Sequence, residues 1–395
     1  MKKGWQKTAR LGDLFMTAAG GTPLTTKREY YEGGTIPWLN SGEVRQGVVH
    51  SAKTFITELG LRNSNAKIFP KDTVLVALYG ATAAQVGILS IEAATNQAVF
   101  GIYPNSSFLP KFIFYFLLSC HQELSDQAVG SAQPNLSGLK VKDLQVPLAP
   151  LPEQQRIVGI LDEAFGGLAT AQAHAAQNLQ NARDLFESHL NAVFTQRGEG
   201  WVEKTLDQIC IVERGSSPRP IKNYFTTNED GVNWIKIGDT EEGGKYVYST
   251  AQKITPEGAK RSKFVKEGDF ILTNSMSFGR PYIMKTSGYI HDGWFALRLN
   301  VSIDSDYLYY LLSSKVVQSQ FTRLASGSVV LNISGDLVKQ AVLPIAPLTQ
   351  QHKIAEHLMV LSDETQRLES IYHRKLAAMA KLKKSLLHQA FSGEL

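Results

Sequence analysis

The chain has 395 residues, 43% of them hydrophobic and 19% charged. That balance excludes an intrinsically disordered polymer and, at this length, implies two or three folded domains. The formal net charge of +5 permits a nucleic-acid partner without requiring one, and the basic excess lies mostly outside the segment that follows Pro152. No apolar run reaches the roughly 18 residues needed to cross a bilayer, and "MKKGWQKTARLGDLF" lacks the apolar core of a signal peptide, so no membrane and a cytoplasmic location are expected.

Residues 1–150 read as short strands separated by Gly, Pro and Asn loops, as in "TVLVALYG" from Thr73, with one apolar helix in "PKFIFYFLLSCHQEL" from Pro110. At "VPLAPLPEQQRIVGILDEAF", from Val146, the texture changes. No proline follows Pro152 before Phe194, and Ile157, Leu161, Phe165, Leu168, Ala171, Ala175, Leu179, Ala182, Phe186, Leu190 and Val193 recur at helical spacing. Pro152 and Glu153 suit a first helical turn, and the Gly166-Gly167 pair predicts a bend.

Residues 201–347 repeat the strand-and-loop texture, with "DFILTNS" from Asp269 as a short alternating strand. Then "LPIAPLTQQHKIAEHLMVLS", from Leu343, opens a second proline-free stripe of Ile354, Leu358, Leu361, Thr365, Leu368, Tyr372, Leu376, Met379, Leu382, Leu386 and Ala390. About 40 helical residues make a rod of roughly 60 Å. The expected layout is therefore a domain at 1–150, a helix at 151–200, a domain at 201–347 and a helix at 348–395.

The two halves are one another's copies. Trp5 aligns with Trp201, Trp38 with Trp234 and Gly42 with Gly238 at a separation of 196, so "IPWLNSGEV" overlays "VNWIKIGDT". Asp72 aligns with Asp269, Asn135 with Asn332 and Phe194 with Phe391 at 197. So long a period marks whole duplicated domains, not a solenoid. The predicted fold is mixed α/β: two similar domains and two long antiparallel, coiled-coil-like helices, as a pseudo-two-fold repeat. The packing stripe is assigned to Ile157, Leu161, Phe165, Leu168, Leu179, Phe186, Ile354, Leu358, Leu361, Leu368, Leu376, Met379 and Leu386.

Several chemistries lack their motifs. There is no G-x-x-x-x-G-K-[ST], no G-x-G-x-x-G, no H-E-x-x-H and no Asn/Asp-Pro-Pro-Tyr/Phe slot for a flipped base, and Cys120 and Cys210 have no partners at metal-ligand spacing. No catalytic residue and no metal site is assigned. His352 and His357, five apart, do not share a helix face as i, i+4 ligands would.

Two diverged domains on paired rods suit a ruler that reads two short elements of double-stranded DNA. Candidate readers in the first half are Lys27, Arg28, Asn40, Arg45, Gln46, Thr82 and Gln85, with Tyr30, Glu43, Asn96 and Gln97 in the same loops. In the second half they are Arg214, Arg219, Lys236, Asn274, Ser277 and Arg280, with Asp239, Glu241 and His291 nearby. Arg and Lys suit guanine, Asn and Gln adenine, and Asp and Glu cytosine.

On "IPWLNSGEV", "KIFPKDTVLVALYGA", "NLSGLKVKDLQVPLAPLPEQQRIVGILD" and their second-half counterparts, the chain resembles the specificity subunit of a type I restriction-modification system. The resemblance spans the chain and implies two target-recognition domains, each reading part of a split, asymmetric site. It implies helices that dock two copies of an adenine-N6 methyltransferase subunit, with restriction subunits joining the full complex. Cofactors would then sit on the partners, S-adenosylmethionine on the methyltransferase and ATP with magnesium on the restriction subunit, and none on this non-catalytic chain. Three alternatives are a restriction nuclease or methyltransferase working alone, whose catalytic constellation is not found, a duplicated interaction scaffold with no DNA role, and a related system whose methylation and cleavage share one partner subunit.

Overall fold

A computed structural model describes residues 7–128, 135–241, 243–274, 279–325 and 334–395. Its principal helices are α1 (Pro110–Ser119), α2 (Leu151–Gln196), α3 (Ser305–Ser313) and α4 (Leu348–Ser392). The chain forms two compact units, Met1–Ala176 with Arg374–Leu395, and Gln177–His373. The 46-residue α2 runs from one into the other. The split differs from the layout expected of a separate helix at 348–395, because the end of α4 is sealed into the first unit by its own apolar side chains.

In the first unit a five-stranded sheet has the order Thr17–Ala19, Val99–Ile102, Val74–Ala77, Val86–Leu89, Val48–Val49, and a four-stranded sheet the order Thr54–Ile56, Ile36–Leu39, Ala93–Thr95, Ile68–Phe69. In the second unit the counterpart of the former runs Cys210–Arg214, Trp294–Leu299, Phe270–Thr273, Pro281–Met284, Tyr246–Val247. Its companion sheet gains one edge strand, Phe225–Thr226. All four residues of "VLVA" and of "FILT" are buried, as expected of strands covered on both faces. Each sheet core is closed by an aromatic helix. Phe112, Ile113 and Phe116 of α1 lie with Val74, Val76 and Ile88, and Tyr307, Leu308 and Leu311 of α3 lie with Phe270, Leu272 and Phe295.

The long helices complete these cores. Ile157, Leu161, Leu387 and Ala390 join the first, and Leu190, Phe194, Ala355 and Leu358 the second. Within the first unit Phe391 meets Phe112 at 5.2 Å between ring centroids, and within the second Phe194 meets Tyr307 at 5.5 Å. Antiparallel pairing is read inside each unit. Arg156 donates to the Leu395 carbonyl and Lys383 lies over the Phe165 ring, while Arg183 pairs with Glu369 and His189 stacks near His357.

The repeated proline junction has a mechanical cause. Gln154, fully buried, accepts from Leu109 N at 2.8 Å and donates to Ser107 O and Ala149 O. Gln351, 2% exposed, accepts from Asp304 N at 2.8 Å and donates to Ala346 O at 2.8 Å. Each glutamine thus ties the first turn of a long helix to the loop that launches the aromatic helix of its own unit, satisfying backbone groups that water cannot reach.

Two expectations about the helices are corrected. α2 continues unbroken through Gly166-Gly167, because flanking turns packed on the first core hold it and both glycines face solvent. The stripe is also narrower than its sequence spacing. The buried mid-helix positions are the small Ala175, Ala182 and Thr365, while Leu368 is 38% and Leu382 49% exposed, and Leu387 is more buried than Leu386. Ile157, Leu161 and Leu358 are buried, and Phe165, Leu168, Leu179, Phe186, Ile354, Leu361, Leu376, Met379 and Leu386 are half-buried.

Candidate nucleic-acid interface

Sheet topology gathers the loops. In the first unit Ile36–Leu39 and Ala93–Thr95 run parallel, so their C-terminal ends share an edge. Asn96 N donates to Leu39 O at 2.9 Å, Gly21 N to Thr95 O at 2.8 Å and Leu78 N to Ala98 O at 2.7 Å. The loops after Gly20, Leu39, Leu78 and Thr95 therefore form one cluster. The second unit builds the same cluster: Gly215 N donates to Trp294 O at 2.8 Å, His291 N to Ile235 O at 3.4 Å and Asn274 N to Gly293 O at 2.9 Å.

A carboxylate, buried in the first unit and half-buried in the second, organises the central loop of each cluster. Glu43, 6% exposed, accepts from Asn40 N and Lys53 N, both at 2.9 Å. Asp239 accepts from Lys236 N at 2.8 Å and Ala251 N at 3.0 Å. The duplicated acid therefore braces backbone and holds the tips outward: Asn40, Arg45 and Gln46 are exposed, and Lys236 is half-buried.

The other expected readers fall into distinct environments. Lys27 and Arg28 are exposed, with Lys27 5.1 Å over the Tyr30 ring. Thr82 donates to Tyr79 O at 3.1 Å, and Gln85 lies 3.2 Å from His121 Nε2. The His121 imidazole is held below its usual range first by burial, then by the charge of Lys384. Arg214 and Arg219 are exposed and Arg280 is half-buried. Asn274 is withdrawn as a base reader. It is 2% exposed and its amide donates to Asp292 O at 2.6 Å, so its side chain shapes the 291–293 turn. Ser277, like the landmarks Trp5 and Asn332, lies outside the described residues.

His291 is half-buried, its Nδ1 accepts from Gly293 N at 2.7 Å, and burial lowers its pKa, which favours the neutral imidazole. Asp292 is held below the usual carboxylate range mainly by the Ser217 hydroxyl, which donates to it. Residue-by-residue reading missed Thr22 and Ser217. The signal was present in "GGTP" and "GSSP", which carry a glycine, a hydroxyl residue and a proline in the same order. Among the described residues, no group of three or more His, Cys, Asp or Glu is placed to hold a metal ion, and no helix is long and apolar enough to cross a membrane.

The family model of the type I restriction modification DNA specificity domain matches residues 2–175 and 198–373. The chain belongs to this family. It is similar to the EcoR124I/EcoR124II specificity subunit of Escherichia coli, 27% identical over 41% of each chain. It is also similar to the MjaIX specificity subunit of Methanocaldococcus jannaschii, 28% identical over 56% of this chain and 55% of that one. These two matches span about half the length of those relatives. The MjaVIII specificity subunit of the same organism is 22% identical across 99% of this chain and 93% of its own. Two solved structures share the fold of this specificity-family chain. A chain from a study of type I R-M assembly and conformational transition has a TM-score of 0.81 at 20% identity, covering 99% of this chain and 98% of that one. The HsdS subunit of Thermoanaerobacter tengcongensis has a TM-score of 0.57 at 18% identity, covering 98% and 97%.

Proposed function

We propose that this chain supplies the DNA address of a type I restriction-modification complex, each domain reading one half of a bipartite, asymmetric duplex site. One observation carries the reading: the two loop clusters are braced alike by Glu43 and Asp239, yet their exposed tips differ. Conserved scaffolding with divergent tips is what two readers of different sequences require, since base edges in the major groove are told apart by side-chain chemistry. Exposed Lys and Arg such as Lys27, Arg28 and Arg214 would contact phosphates and set register.

The two long helices would dock the adenine-N6 methyltransferase, in two copies, through apolar side chains left in water: Leu185 is 55%, Val360 57% and Leu382 49% exposed. Chemistry would then belong to the partners, S-adenosylmethionine to the methyltransferase and ATP with magnesium to the restriction subunits, and the chain itself would work in the cytoplasm. Coexpression with the neighbouring methyltransferase gene and single-molecule mapping of genomic N6-methyladenine tests this. A split motif of fixed gap that disappears when this chain is omitted is the expected result. Methylation of one continuous motif, indifferent to the omission, overturns it.

A further inference from the structure

The loop clusters contain one corner in which the two domains are structurally matched and chemically opposed. "GGTPL", Gly20–Leu24, overlays "GSSPR", Gly215–Arg219. The overlay is fixed by backbone as well as by sequence, because Gly20 N donates to Val99 O at 3.0 Å and Gly215 N to Trp294 O at 2.8 Å, with the preceding strands in the same sheet position. In the first domain the Thr22 hydroxyl donates to Gln97 Oε1. In the second the Ser217 hydroxyl donates to Asp292 Oδ1 at 2.5 Å. The residue after the shared proline then differs: Leu24, 57% exposed, against Arg219, whose side chain is 83% exposed and stands 3.6 Å from Asp292 Oδ2.

The two differences go together. Where the hydroxyl holds a carboxylate, the post-proline residue is a cation; where it holds an amide, that residue is apolar. Both tips reach solvent, Gln97 being exposed and the Asp292 side chain 47% exposed. A hydroxyl that fixes one side-chain oxygen sets the orientation of the rest of the group, leaving the Gln97 amide N–H pair and a carbonyl lone pair, or the free Asp292 oxygen beside Arg219, pointing onward. Resting on the reading of the chain as a two-headed DNA reader, we infer that this corner is a base-selecting position in each domain, taking an A·T pair at Leu24 and Gln97 and a G·C pair at Arg219 and Asp292. The Gln97 amide donates to adenine N7 and accepts from its N6 amino group while Leu24 covers the thymine methyl. Arg219 donates to guanine O6 and N7 while Asp292 accepts from cytosine N4.

The test transplants one corner into the other in the full chain, coexpressed with its methyltransferase: Arg219→Leu with Asp292→Gln. Methylome mapping should show one G·C position of a single half-site turn to A·T or become degenerate, with the other half-site and the gap unchanged. Duplexes carrying the original G·C pair should bind the variant complex about 5- to 150-fold more weakly. An unchanged motif overturns the assignment of this corner while leaving the two-headed reading intact. A wild-type methylome without a split motif instead removes the reading on which it rests. Should the double variant fail to assemble, Arg219→Leu alone carries the same test, since that side chain is exposed and its loss strands no buried group; the same two outcomes decide.

Discussion

Replacing Gln154 probes why both halves of the chain carry one junction. Its side chain satisfies three backbone groups inside the first core, Leu109 N, Ser107 O and Ala149 O, whereas Gln351 satisfies Asp304 N and Ala346 O. A buried backbone group stranded without a partner costs about 1–3 kcal/mol. With partial rehydration, Gln154→Met should destabilise its domain by about 3–5 kcal/mol and Gln351→Met by about 2–4 kcal/mol. Met keeps the length of the side chain, so cavity formation contributes little. In urea, at a slope of about 2 kcal/mol/M, the affected domain should unfold about 1.5–2.5 M earlier in Gln154→Met and about 1–2 M earlier in Gln351→Met, and only that domain. Tryptophan fluorescence separates the two, because Trp38 belongs to the first unit and Trp201, Trp234 and Trp294 to the second. Midpoints within about 0.2 M of wild type would refute the junction's structural role, and loss of both transitions together would refute its confinement to one domain.

Glu43→Gln swaps one carboxylate acceptor for a donor that faces a backbone N–H, so the loop bearing Arg45 and Gln46 should lose its shape; binding of the first half-site should fall at least about tenfold by fluorescence anisotropy, with second half-site discrimination retained. Glu213 is held below the usual carboxylate range, first by its hydrogen bond from Arg298 and also by Lys263. A depressed folded pKa stabilises at pH values above the unfolded value near 4.5 and is lost as pH falls through the folded pKa, so acid melts of the second domain should be steeper in wild type than in Glu213→Gln. Leu185→Asp with Val360→Asp should leave the melting of the free chain within about 0.5 kcal/mol, both positions being exposed, and abolish methyltransferase capture in pull-down; retained capture would place the docking surface elsewhere.

The duplication was legible because its landmarks are residues that local physics cannot do without. Trp38 and Trp234 fill matching places, their strands pairing with Ala93–Thr95 and Gly288–Ile290 in the same parallel sense. The existence of the strands and of the apolar helix α1 followed from runs of Val, Ile, Leu and Phe bounded by turn residues, whereas the alternation expected of the strands gave way to burial on both faces. Partnerships made across long sequence distances were not legible. Asn274 has the chemistry of an adenine reader, and only the fold shows the 291–293 turn closing over it. Gly166-Gly167 predicts a weak helix, and tertiary packing overrides that local cost. The stripe's spacing located the helices but not their buried line, which is set by where small side chains such as Ala182 and Thr365 lie.

The first domain's core contains Leu387 and Ala390, with Phe391 against Phe112 and Phe116, so that domain is not contiguous along the polypeptide. The second unit, Gln177–His373, is. On a translating ribosome the usual order of completion, N-terminal domain first, is therefore reversed. The first domain emerges early, waits with an apolar face uncovered while nearly two hundred further residues are made, and closes only when residues 374–395 arrive. The second domain can be complete by then. A nascent chain of this design exposes one half to chaperones for much longer than the other, and loss of those last residues injures the domain synthesised first.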